Sequence, residues 1–125
     1  MAARMKDLLE AIAAQSRERR LPAAISGVVR LDVEDAGRTD HWYLTIKKGT
    51  VTIARKGGEP DAVLRGDAAI FTAVLSGEAN MMAAILRGAL EVEGRMLLLV
   101  ALQRFSPGEE KGADVPAAGY ARRQS

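Results

Sequence analysis

Cysteine is absent from the 125 residues, which excludes disulfide bridges, thiolate zinc sites and a cysteine nucleophile together. Histidine occurs once, as His41, so metal ligation through a pair of imidazoles is excluded too. Long apolar runs are missing. The longest, Met96 to Leu102, is seven residues, against the roughly 20 needed to span a bilayer. The segment Met1 to Asp7 holds no apolar stretch of signal-peptide length, so a soluble, cytoplasmic protein is expected. An excess of one charge sign is missing as well. Residues 1–20 carry five basic and three acidic side chains, residues 21–106 ten of each, and residues 107–125 three of each. A chain that draws its affinity from phosphate neutralisation needs a basic excess on its folded part, so no nucleic-acid partner is expected.

What is present is the balance of one globular domain: 48% apolar residues and 27% charged, in a length that leaves little room for a second unit. Met5, Leu8, Leu9 and Ile12 recur at helical spacing, Arg17, Arg19 and Arg20 follow where positive charge suits a helix end, and Pro22 stops the pattern. From Gly27 the period becomes two. Val29, Leu31 and Val33 alternate with Arg30, Asp32 and Glu34. After a turn at Asp35 to Thr39, Trp42, Leu44 and Ile46 alternate with Tyr43, Thr45 and Lys47. Lys48-Gly49 leads into a third strand, Thr50 to Arg55, and Lys56 to Pro60 turns into a fourth, Ala62 to Arg65. Short connections between four consecutive strands predict an antiparallel meander.

Helical spacing returns at Asp67, a suitable N-cap, with Ile70, Phe71, Val74 and Leu75 ending at Ser76-Gly77. Asn80 caps a short helix carrying Met81, Met82, Ile85 and Leu86. Leu90 and Val92 form a fifth strand between Gly88 and Gly94, and a last helix runs from about Arg95 to Phe105. Residues 107–125 are polar, rich in glycine, proline and alanine, and aperiodic, and read as a flexible tail beyond a domain of residues 1–106. The predicted order is α-β-β-β-β-α-α-β-α. That is an α+β domain with helices on one face of a five-stranded, mainly antiparallel sheet.

No constellation for catalysis appears. Asp40 and His41 are neighbours on a strand, which sends their side chains to opposite faces and leaves His41 a lone surface or turn residue. Gly57-Gly58 belongs to a turn with no helix after it, so it is no phosphate cradle. The acidic pairs Glu34/Asp35 and Glu109/Glu110 are adjacent residues in a turn and in the tail. Neither a metal nor a cofactor is expected. The N-terminal basic cluster of Arg17, Arg19 and Arg20, with Arg4 and Lys6, is read as a solvated helix end, with transient contact to a membrane surface as the functional alternative.

In this order and punctuation the chain resembles the sterol carrier protein 2 (SCP2) family. The resemblance covers roughly residues 24–105. It rests on Trp42-Tyr43-Leu44-Thr45-Ile46 before the Lys48-Gly49 turn, the Asp67 cap, Leu75-Ser76-Gly77, and Gly88-Ala89-Leu90-Glu91-Val92-Glu93-Gly94 leading into an apolar helix. It implies a non-enzymatic domain that encloses a fatty acyl chain, a sterol-like molecule or an isoprenoid in an apolar tunnel between sheet and helices. The last residues, Arg122 to Ser125, differ from the Ser-Lys-Leu-type ending of peroxisomal members, so a stand-alone member of bacterial type is expected.

The residues read as lining the tunnel are Trp42, Leu44, Phe71, Val74, Leu75, Met81, Met82, Ile85, Leu86, Met96, Leu99 and Val100. Two features add to that reading. The helix Met96 to Leu102 is apolar almost all round, although a helix on a sheet needs only one dry stripe. Methionine, in turn, repacks easily around varied apolar shapes. The expectation is thus an interior larger than the chain's own side chains can fill. The alternative is the same fold with a filled core, serving as an accessory or self-associating module.

Overall fold

The computed structural model describes residues 2–105, and the expected tail lies outside the described residues. Helix α1 spans Ala2–Glu18, strands β1 to β4 span Gly27–Asp35, Arg38–Lys47, Thr50–Ala54 and Ala62–Asp67, helices α2 and α3 span Ala68–Leu75 and Met81–Leu86, strand β5 spans Glu91–Gly94, and helix α4 spans Met96–Leu102, followed by a 3-10 turn at Gln103–Phe105. The order of elements is the one the hydrophobic periods predict. No helix of the described residues is long and apolar enough to cross a membrane.

The sheet order is β3-β2-β1-β4-β5. Strands β1, β2 and β3 form an antiparallel meander, and β5 is antiparallel to β4. The expectation of a four-strand meander fails at its last step, because β4 lies beside β1 and parallel to it. The reason is stagger. Strand β3 ends at Ala54, opposite Tyr43, which faces Arg30. Strand β4 begins at Ala62, opposite Val29, at almost the same height on the sheet. The connection therefore travels sideways only, across about three strand spacings of ~4.8 Å, within easy reach of residues 55–61 at about 3.3 Å each. It passes over the side of the sheet that carries no helices. Gly57 sits flat against the Tyr43 ring, where a Cβ atom would come within 2.5 Å of the ring carbon Cδ2.

Both hairpins turn on a residue pair with positive φ, Ala36-Gly37 at 52° and 81° and Lys48-Gly49 at 54° and 85°. This is the two-residue turn whose twist matches that of the flanking strands. It fixes the register, so that Val29, Leu31, Leu44, Ile46 and Val51 all point to one face. Leu64, Phe71, Val74, Leu98 and Leu99 complete the buried core with Leu9 and Ile12 of α1. Asn80 caps α3 as expected, its side-chain oxygen accepting from the Ala83 amide at 2.9 Å. Asp67 occupies the cap position of α2, but its carboxylate makes no capping hydrogen bond.

Helix α1 is tied to the edge strand β3 through a buried hydroxyl. Ser16 Oγ donates to the Ala13 carbonyl at 2.7 Å and accepts from the Val51 amide at 2.8 Å, with Ser16 fully buried. Edge-strand amides need such a partner when water cannot reach them. Ser16→Ala is expected to strand the Val51 amide and to lower stability by about 1–3 kcal/mol in urea unfolding. An unchanged midpoint would show that the amide finds another acceptor.

Candidate functional site

Beneath the helices, the inner face of the sheet is not completely filled. Leu31, Leu44 and Leu64, from three neighbouring strands, form the floor of a cavity. Leu9 and Ile12 of α1 wall one side, Phe71, Val74 and Leu75 of α2 another, and Met81, Leu99 and Leu102 close it from α3 and α4. Gln103 is the one polar residue of the lining, and it is 8% exposed. Leu75 alone among the lining residues is half-buried rather than buried, so the cavity comes nearest to solvent at the C-terminal end of α2. That end is fixed by Gly77, whose φ of 88° breaks the helix. The space is narrow. Its volume is about 30 Å³.

Of the twelve residues read from the sequence as tunnel lining, Leu44, Phe71, Val74, Leu75, Met81 and Leu99 meet around this cavity. Trp42 is buried on the same face but borders a separate small pocket with Met5, Val33 and Thr72, and the Arg55 guanidinium stacks 4.2 Å from its ring centre. Ile85 and Met96 are partly buried against the core, and Met82 is half-buried. Leu86, at 83% exposure, and Val100, at 43%, point to solvent. Helix α3 has six residues, so its two turns share one buried face, taken by Met81 and Ala84. Helix α4 divides its apolar surface three ways. Leu98 packs on the sheet at Gly27, Leu99 and Leu102 face the cavity, and Leu97 and Val100 face out.

Leu9, Ile12, Leu31, Leu64, Leu102 and Gln103 also line the cavity, and the sequence reading leaves them out. The alternation in β1 and β4 signals Leu31 and Leu64 as inward-facing, and the helical stripe signals Leu9 and Ile12. What no local pattern supplies is which inward residues surround the gap.

On the opposite face, charged groups converge on Asp32, whose side chain is 3% exposed. Arg30 donates to it through Nε at 2.8 Å and Nη2 at 3.1 Å, His41 Nδ1 lies 2.7 Å away, and Arg65 Nη2 lies 3.6 Å away. Asp40 instead meets Arg38 and Arg55, so Asp40 and His41 do part to opposite sides as expected. His41 is not a lone surface residue, however. It belongs to a carboxylate-centred cluster. Among the described residues, no group of three or more histidine and carboxylate side chains is placed to hold a metal ion.

The described residues thus form an α+β domain with helices on one side of the sheet and a narrow apolar cavity between the layers. The chain belongs to the SCP-2 sterol transfer family, whose model matches residues 5–106. Similar folds include sterol carrier protein 2 of Aedes aegypti in complex with palmitate, a C16 fatty acid. That structure shares 18% identity and a TM-score of 0.67, over 86% of this chain and 98% of that one. The sterol carrier protein domain 2 of Helicoverpa armigera is 24% identical, with a TM-score of 0.65, over 83% of this chain and 85% of that one. A protein of Thermus thermophilus, described as possibly a sterol carrier protein, is 20% identical with a TM-score of 0.60, over 89% of this chain and 84% of that one. No curated protein sequence matches this chain.

Proposed function

We propose that this domain binds the apolar part of a lipid, a fatty acyl chain or a sterol-like or isoprenoid molecule, between sheet and helices and carries it without chemical change. The observation that carries this reading is the cavity, with its eleven apolar lining residues and single buried amide. Burial of some twelve methylene groups yields roughly 10 kcal/mol gross, at ~0.8 kcal/mol each, with no catalytic group involved. The cavity as it stands has room for little more than water, so the guest enters by parting the lining. Leu75 and the Ser76–Asn80 connection mark the opening, and the short helices α3 and α4 are the elements that give way. Gln103, with a donor and an acceptor on one amide, is the group that meets a polar end carried inside. Membership of the family and the palmitate-bound relative support the reading.

Native mass spectrometry of the purified chain, with displacement of a fluorescent fatty acid, tests it. Co-purified lipid and saturable displacement are expected. No retained lipid together with no saturable displacement would remove the carrier reading and leave the filled-core accessory module.

A further inference from the structure

Basic side chains gather at the end of the molecule where α1 stops and the β2–β3 hairpin turns. Arg20, Lys47 and Lys48 stand around a shallow groove of about 350 Å³, on the side of the sheet away from the lipid cavity. Thr45, Thr50 and Thr52 complete its lining, and no carboxylate does. The register sets Thr45 opposite Thr52 and Lys47 opposite Thr50, and the Thr50 hydroxyl donates to the Lys47 carbonyl at 3.0 Å. Threonine is a common strand residue and would mean little there alone. The cations give the groove its meaning. Arg20, Lys47 and Lys48 form no ion pair among the described residues.

The two basic segments are locked side by side. The Leu21 amide donates to the Gly49 carbonyl at 2.9 Å. A Cβ atom at Gly49 would lie 2.5 Å from the Leu21 carbonyl oxygen and 2.9 Å from Arg20 Cβ, so the turn fits against the helix end only as glycine. Residues 17–20 and 47–48 together hold five cations and one carboxylate, against a formal charge of +2 for the whole chain. The remaining residues carry a net formal charge of −2. The end of α1 contributes about half a negative charge, far less than the cations supply. Arg20, Lys47 and Lys48 crowd like charge around one groove, and ammonium and guanidinium donors beside hydroxyls suit an anion with several acceptor oxygens.

From this placement we propose that the groove between the end of α1 and the β2–β3 hairpin binds a phosphate group, of a phospholipid head or of a free phosphorylated molecule. Arg20, Lys47 and Lys48 supply the charge, and Thr45 and Thr52 supply hydroxyl donors. The site is separate from the lipid cavity and does not depend on its occupancy.

The test titrates the full ¹⁵N-labelled chain with inorganic pyrophosphate at constant ionic strength. In parallel, flotation is measured with phosphatidylcholine vesicles with and without phosphatidic acid. Saturable shifts of the Thr45, Thr50 and Thr52 amides are expected. Lys47→Gln and Lys48→Asn are each expected to weaken binding by about tenfold, the loss of one charge-assisted bond, while Lys47→Arg retains it. Lys48→Asn preserves the turn, because asparagine tolerates the left-handed backbone that Lys48 adopts at a φ of 54°. Arg38→Gln removes an equal charge outside the groove and is expected to change nothing. Pyrophosphate saturation assigns free phosphate chemistry, and flotation that requires phosphatidic acid without pyrophosphate saturation assigns a lipid head. Absence of both, or an equal loss in Arg38→Gln, overturns the proposal.

Discussion

Displacement of a bound fluorescent fatty acid by palmitate should weaken by roughly 100-fold in Val74→Phe, with the variant still folded. A hundredfold loss corresponds to about 2.7 kcal/mol, the burial of three or four methylene groups. Val74 is 3% exposed and reaches the cavity from the last turn of α2. The larger ring occupies the space that the guest must widen, so the guest has to displace the ring as well as part the lining. Overpacking itself costs about 1–3 kcal/mol, so near-ultraviolet circular dichroism and the thermal midpoint serve as the control. Leu99→Ala acts in the opposite sense. Leu99 is 1% exposed beneath α4, and its truncation is expected to cost the empty protein about 2–5 kcal/mol. Palmitate then fills part of the new void, so its effect on the melting midpoint should be larger in Leu99→Ala than in the unsubstituted chain. Equal affinity in Val74→Phe, together with an equal midpoint shift in Leu99→Ala, would place the guest somewhere other than this cavity.

Much of this arrangement is legible in the residues. The change of period at Gly27 and again at Asp67 separates strands from helices, and the alternation around Trp42-Tyr43-Leu44 assigns each side chain to a face. Even the Asp32–His41 contact follows once the turn is placed at Ala36-Gly37, because that turn sets residue 32 opposite residue 41. Attention to the adjacent Asp40 hides it. Sequence adjacency is the wrong neighbourhood on a strand, where side chains alternate and the nearest same-face partner sits on the next strand. The parallel pairing of β1 with β4 is less legible. Loop length argues against it, and only the stagger between β3 and β4 permits it. Such offsets belong to the assembled sheet and leave no local mark. The cavity is of the same kind. Leu86 and Val100 fit a helical apolar stripe as well as Leu75 and Leu99 do, yet only the latter two face the gap. Short helices settle their rotation by packing against neighbours, and no i, i+3, i+4 pattern within six or seven residues settles it in advance.

The largest loss of stability outside the core is expected from Asp32→Ala, about 3 kcal/mol in urea unfolding. Removing one member of a buried ion cluster leaves the others facing each other without compensation, and such deletions cost several kcal/mol. The lower part of that range applies here, because His41 and Arg65 are each 49% exposed and recover solvation. Arg65→Gln removes the most distant contact, at 3.6 Å from a half-exposed side chain, and is expected to cost under about 1 kcal/mol. The carboxylate also sets a pH dependence. Burial pushes the Asp32 carboxyl up, but hydrogen bonds from Arg30 and His41, together with their charges, outweigh it and hold the group below its ordinary value. A carboxylate depressed by folding contributes stability that is fully present above its unfolded pKa of about 3.9. That contribution is lost as pH falls through the lower folded value. Unfolding free energy should therefore decline below about pH 4 more steeply in the unsubstituted chain than in Asp32→Asn, which keeps the shape of the side chain but has no proton to gain. Parallel profiles for the two proteins from about pH 7 to about pH 2 would show that Asp32 is equally acidic folded and unfolded, and that the cluster on the outer face of the sheet does not hold its charge.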